Sequence, residues 1–325
     1  MQTIQPEVNT DRGGLNLRFD LQAGAGVQCS PVWSSAGRHM QFYRLLPGQS
    51  LGLPAGRNFI KVISGRLGAV NRSCLAPPFA IRSTEIEAES IAASTEPCLL
   101  ALMNLPFDRP PQVTMTTQVQ FEGPLSEQLS WQSFDDKYGA FLDAFAGHDC
   151  HMANGFHLLD EKGAEQVYVN PWICGKGVDL TTHNHAGDPS PQSPVFAEVH
   201  WVLAAGTTTG GMYTTPELGA TERRLYPMGL GDEHGPFYDL DDKGTPVMRP
   251  NGAVSYPWHG WLGGTDDAPG QTYDYVWAFE INPAFIRGQH GLESVRRSAV
   301  AENQVAQTAA REDLDPVAIW ILDES

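Results

Sequence analysis

Along most of this chain the hydrophobic positions fall in short runs closed by glycine, proline, asparagine or serine, and few recur at helical spacing. Met40 to Leu46 is one such run, followed by the turn Pro47-Gly48-Gln49-Ser50. Phe59 to Ile63 reads as a strand and ends at Ser64-Gly65, a hairpin signal. Ile81 to Ile86, Cys98 to Met103, Gln166 to Trp172, Phe196 to Leu203, Gly211 to Thr214 and Val276 to Ile281 read as further strands. Many short strands between turn residues predict an all-β architecture with a few short helices.

Two segments break the pattern. In 124–145, Ser126 can cap, and Trp131, Phe134, Tyr138, Phe141, Leu142 and Phe145 recur at steps of three and four. That spacing predicts an amphipathic helix whose aromatic stripe packs against a core. The tail 291–311 is polar and alanine-rich and reads as helical, and Val317 to Leu322 reads as a closing strand. An apolar strand of that kind suits pairing into the body of the protein or with a second copy, which leaves a homodimer open.

Composition narrows the classes. The chain has 325 residues, long enough for two domains of ordinary size. Its 33 glycines and 24 prolines, with only 18% charged residues, fit many turns and few long helices. A net charge of −17 argues against nucleic acid and anionic membrane surfaces as partners. No run long and apolar enough to span a membrane occurs, and the N-terminal MQTIQPEVNTDRGG lacks the basic and apolar regions of a signal peptide. The five cysteines are scattered, odd in number and form no Cys-x-x-Cys pair, as reduced thiols in a cytoplasmic protein would be.

Candidate chemistry concentrates in one region. Four of the 10 histidines lie between positions 183 and 234. His183-Asn184-His185 and Glu198-Val199-His200 each put two donor side chains on one face of a strand, because side chains alternate with period two. Pro227-Met228-Gly229-Leu230-Gly231-Asp232-Glu233-His234 delivers a further histidine after a glycine-rich turn. A single histidine is usually a surface or packed residue, but matched pairs with one phase point to one cation held by imidazole and carboxylate. That donor set suits zinc, manganese, iron, nickel or cobalt rather than calcium or magnesium.

These residues carry a resemblance. Gly177-x5-His183-x-His185 with Glu198-x3-Val202-Leu203-x2-Gly206 resembles the first motif of cupins, and Gly219 with Pro227-x3-Gly231-x2-His234 resembles the second. The resemblance implies jelly-roll β-barrels and a divalent transition metal, zinc before manganese, iron or nickel, held by His183, His185, Glu198 and His234. Twelve residues separate His185 from Glu198, where cupins have three or four, and the spacing from Glu198 to Gly206 is one residue longer than usual. The second departure leaves His200 open as a ligand in place of Glu198, or as a partner of the ligands. The run from Pro47 to Gly68 has the rhythm of a first cupin motif without its histidines, since His39 alone precedes position 148. A bicupin follows: a metal-free barrel over 1–115, a helical connector over 116–148, a metal-binding barrel over 149–290, and a C-terminal helix and strand over 291–325. The stretches EVHWVLAAGTTTGGMY and YPMGLGDEHGPFY resemble more narrowly the cupin part of the aldos-2-ulose dehydratase type of enzyme.

A second cluster is Tyr256-Pro257-Trp258-His259-Gly260-Trp261. Tyr256, Trp258 and Trp261 would either contact the apolar faces of a carbohydrate-derived substrate or fill the barrel mouth as core. His259 and His200 would move protons near neutral pH. The resulting expectation is metal-assisted isomerisation or dehydration, through enolisation, of a sugar-derived carbonyl compound. A non-haem iron dioxygenase and a non-catalytic small-molecule binding protein are the alternatives.

Overall fold

The computed structural model describes residues 7–8, 15–18, 27–30, 33–35, 38–64, 82–83, 85–86, 90–92, 97–106, 131–133, 150–153, 155–159, 165–183, 197–216, 220–233, 247, 258–268 and 273–281. Among them every regular element is a strand, and no helix occurs. The N-terminal half contributes β1 (Glu7–Val8), β2 (Leu15–Arg18), β3 (Gln28–Cys29), β4 (Trp33–Ser35), β5 (Arg38–Leu45), β6 (Ser50–Gly52), β7 (Arg57–Ser64), β8 (Arg82–Ser83), β9 (Glu85–Ile86), β10 (Ser90–Ala92) and β11 (Cys98–Leu105). The C-terminal half contributes β12 (Trp131–Ser133), β13 (Cys150–Ala153), β14 (Phe156–Leu159), β15 (Glu165–Gly175), β16 (Asp179–His183), β17 (Ala197–Ala204), β18 (Gly211–Thr215), β19 (Arg224–Pro227), β20 (Asp232–Glu233), β21 (Trp258–Leu262) and β22 (Tyr273–Ile281). Each run read as a strand between residues 40 and 281 coincides with one or two of these elements.

One expected helix is corrected in part. Trp131 to Ser133 is extended and pairs antiparallel with β13, Trp131 opposite Ala153. The ladder on β13 supplies these backbone groups with partners, and tertiary pairing of this kind overrides a helical spacing of side chains. The rest of 124–145, and the tail 291–325, lie outside the described residues.

The N-terminal strands form a six-stranded sheet, in the order β3-β5-β11-β7-β9 with β4 beside β5, and a two-stranded sheet of β6 and β10. The C-terminal strands form a four-stranded sheet, β16-β21-β18-β19, and most of a ten-stranded sheet that runs β1-β2-β14-β15-β22-β17-β20-β8. That larger sheet is shared between the halves. Strand β2 lies parallel to β14, and β8 closes the far edge against β20. This is an all-β protein of two jelly-roll barrels, the N-terminal half lending β1, β2 and β8 to the larger sheet of the C-terminal half.

Alternation sorts the side chains into three cores. On β17 and β22, Val199, Trp201, Leu203, Tyr275, Trp277 and Phe279 face the N-terminal barrel, where they meet Phe42, Phe59, Ile63, Ala101 and Met103. Phe42 stacks on Trp277 with ring centroids 6.1 Å apart and meets Phe156 and Phe279 edge to face. The intervening positions Val202, Val276 and Ala278 face the interior of the C-terminal barrel with Trp172, Met212, Tyr226 and Trp261. Leu45, Ile60, Val62, Leu100 and Leu102 line the N-terminal barrel. Its buried polar members hydrogen-bond each other, Asn104 Nδ2 donating to Asn58 Oδ1 at 2.9 Å. Each large apolar side chain buried in these cores contributes about 1.5–3 kcal/mol, so the interface between the barrels is as much a core as either interior.

Candidate functional site

The interior of the C-terminal barrel holds a carboxylate flanked by two imidazoles. On β17, Glu198 and His200 share phase with Val202, whose side chain lies in the interior core. On β21, His259 shares phase with Trp261, also in that core. The strands of the two facing sheets therefore aim these groups at each other. Glu198 Oε2 lies 3.2 Å from His259 Nε2, and Glu198 Oε1 lies 3.6 Å from His200 Nε2. All three side chains are buried, His259 completely. The approach of His259 to the carboxylate is close without being aligned as a hydrogen bond.

Tryptophans wall this cluster. Trp172 on β15 and Trp261 meet edge to face at 5.1 Å, and each presents an edge to the His200 ring, at 5.8 and 6.2 Å. Below them Asp274 on β22 accepts a hydrogen bond from Trp261 Nε1 at 2.9 Å, and another from the backbone N–H of Gly206 at 2.7 Å. Burial pushes the Asp274 carboxyl up to about 6, against those hydrogen bonds, which favour its charged form. Asp274 thus holds the indole that borders His200.

A second network, on the outer face of the four-stranded sheet, braces β16 to β18. The Tyr213 hydroxyl donates to Asp179 Oδ1 at 2.7 Å and meets Thr182 Oγ1 at 3.1 Å. The Arg223 guanidinium pairs with Asp179 and lies 4.5 Å above the Tyr213 ring. Burial, as the largest cause, pushes the Tyr213 phenol up to about 12, so it stays a donor across the ordinary pH range. Gly260 makes this possible, because a Cβ there would sit 2.5 Å from the Tyr213 hydroxyl oxygen.

The expected site residues separate into groups. Glu198, His200 and His259 come together. The backbone of His183, at the end of β16, lies opposite His259 in the β16–β21 register. The side chain of His183, and all of His185, His234 and Tyr256, lie outside the described residues. Trp261 is core, with its indole N–H engaged by Asp274, and is not an open platform. Trp258 has the opposite phase to His259 and Trp261, so it lies on the other face of β21, half-buried. Cys174 is a buried thiol whose sulfur contacts the carbonyls of Gly175 and Val178, in a packing role. Trp172 and Asp274 lie outside the motifs that the sequence offers. Their signals are a tryptophan in phase with Cys174, and an acid in phase with Val276 and Ala278 in Tyr273–Ile281.

Residues 3–282 match the aldos-2-ulose dehydratase/isomerase (AUDH) cupin domain family. The chain belongs to that family. Among curated relatives it is similar to aldos-2-ulose dehydratase of Phanerodontia chrysosporium, with 27% identity over 282 residues. That match takes in 77% of this chain but 30% of the relative, so the chain spans about a third of the length of the enzyme it matches. Among solved structures it is similar to a cupin 2 conserved barrel domain protein from Leptotrichia buccalis, at 12% identity and TM-score 0.25, covering 79% of this chain and 90% of that one. An IolB-like protein from Salmonella typhimurium aligns at 10% identity and TM-score 0.28, covering 86% and 93%.

Cupins commonly bind a divalent metal. Among the described residues no three His, Cys, Asp or Glu side chains are placed to hold one ion together. The donor chemistry at hand does fit such an ion. A buried carboxylate lies beside two imidazole nitrogens inside the C-terminal barrel, and the backbone of His183 runs opposite His259 in the β16–β21 register. Carboxylate with imidazole is a donor mixture taken by first-row divalent cations.

Proposed function

We propose that the C-terminal barrel is a metal-dependent enzyme site that isomerises or dehydrates a sugar-derived carbonyl compound by way of its enol. The observation that carries this reading is Glu198 buried between His200 and His259 in a tryptophan-walled barrel. His183, His185, Glu198 and His234 would hold the metal, zinc first among the candidates. When bound, the ion supplies Lewis-acid polarisation of the substrate carbonyl. His259 and His200 are the proton-moving groups, because an imidazole gains and loses a proton near neutral pH. One takes the proton from the carbon beside the carbonyl; the C–H electron pair becomes a C=C bond and the carbonyl π pair moves to oxygen, which takes a proton from the other imidazolium to give the enol. In isomerisation the hydroxyl on the first carbon loses its proton to that imidazole as the new C=O forms, and the former carbonyl carbon takes the proton held by the first imidazolium. In dehydration the second imidazolium protonates the departing hydroxyl, which leaves as water. The Trp172 and Trp261 rings border His200 and keep bulk water off it.

The family's curated relative is named a dehydratase, which supports the lyase arm of this reading. The experiment is incubation of the protein in D2O with a panel of keto-sugars, with and without added zinc or manganese. Deuterium at carbon is followed by NMR, and a conjugated enone by ultraviolet absorbance. Metal-dependent exchange or enone formation is expected. Absence of both across the panel overturns the proposal. A rate unchanged under strict anaerobiosis removes the dioxygenase alternative.

A further inference from the structure

The glycine-rich segment before His234 is gripped from outside its own barrel. Strand β20 pairs with β17 through Trp201 and Glu233 on one side. On the other side it pairs with β8 of the N-terminal half, Asp232 opposite Ser83 and Glu233 opposite Arg82. Gly231, at φ +81°, sits directly on Phe59 of β7, where a Cβ would come within 2.1 Å of Phe59 Cδ1. Its N–H donates to the Val202 carbonyl at 2.8 Å, tying the turn to the strand that carries Glu198 and His200. Lys61, between Phe59 and Ile63 on the face of β7 turned to the C-terminal barrel, forms a 3.1 Å ion pair with Glu233. Both side chains are withdrawn from water, at 3% and 13% exposure.

We propose that Lys61 and Phe59 are positioning residues for the C-terminal site. Through Glu233 and Gly231 the N-terminal barrel fixes where the chain enters His234. The inference rests on the reading of His234 as a metal ligand. Stability alone does not account for Lys61. A charge pair in an apolar interface is commonly replaced by apolar residues without loss, whereas a directional pair fixes one register among several. Phe59 sets the height of the turn and Lys61 sets its lateral place, so a barrel without metal histidines still bears on the ligand geometry of its neighbour.

The test is the double variant Lys61→Met/Glu233→Gln, which removes both charges at nearly constant volume, compared with wild type and His234→Ala. Zinc affinity is measured by competition with a chromophoric chelator, Tm by calorimetry, and amide hydrogen exchange over residues 229–233 by mass spectrometry. The double variant is expected to keep a wild-type Tm, lose about tenfold or more in zinc affinity, and exchange faster at Gly231 and Asp232. Unchanged zinc affinity or unchanged exchange overturns the proposal. Should the double variant fail to fold, Glu233→Asp carries the same comparison, because it keeps both charges and shortens the reach. If His234→Ala binds zinc as wild type does, the ligand reading is what fails, and the exchange rates still decide whether the grip on the turn exists.

Discussion

Asp274 makes the stability of the C-terminal barrel depend on pH, and one substitution isolates its share. Burial raises the carboxyl from its ordinary 3.8 to about 6. A folded pKa above the unfolded one means that the folded protein binds the proton more tightly. The stabilisation is therefore complete below 3.8 and is lost as the pH rises through about 6. A shift of about two units corresponds to about 3 kcal/mol. In Asp274→Asn the titration is gone, and the new NH2 must face either the Gly206 N–H or the Trp261 N–H, donor against donor. Losing that acceptor costs roughly 1–3 kcal/mol. Wild type should therefore exceed the variant by that amount near about pH 4 and lose about 3 kcal/mol of the margin by about pH 8, reaching parity or reversal. Urea unfolding of both proteins across this range gives the difference, in which groups that titrate alike in both cancel. A margin that stays flat with pH would refute the argument that burial, not the hydrogen bonds, controls this carboxyl.

Three further outcomes are expected. His183→Ala or His234→Ala should abolish metal retention, read by elemental analysis, with Tm little changed; a collapse in folded yield would instead make the metal structural. His259→Ala should keep the metal and lower kcat by about 100-fold or more, and unchanged turnover would reduce His259 to a packing residue. Phe42→Ala removes the ring that stacks on Trp277 and should cost about 3–5 kcal/mol in urea unfolding. A cost near zero would mean that the barrels adhere without it.

The strands were legible because short apolar runs closed by turn residues are a local signal. Cys98–Leu105 and Ala197–Ala204 could be read off their own residues. The placing of β2 and β8 in the larger sheet was not, since it depends on pairing between segments far apart in the chain. The same division holds at the site. Glu198 and His200 announce themselves by their spacing on one strand. The place of His259 beside them follows from the register of β21 against β16 and β18, which nothing within 256–264 encodes. The aromatic cluster reads either as a carbohydrate-contacting surface or as barrel-mouth core, yet Trp258 and Trp261 are three residues apart on a strand and must face opposite ways. That signal was present and was outweighed by the composition of the stretch.

The lending of strands also bears on how the protein is made. When the N-terminal half leaves the ribosome, Phe42, Phe59 and Met103 have no cover, because Trp201, Trp277 and Phe279 have yet to be synthesised. Strand β2 likewise waits for β14, and β8 for β20. Pairings so distant in sequence close slowly and leave apolar strands open in the meantime. The nascent first half is thus a natural client for chaperones, and expression yield should respond to translation speed and to holdase levels more than the stability of the finished molecule would suggest.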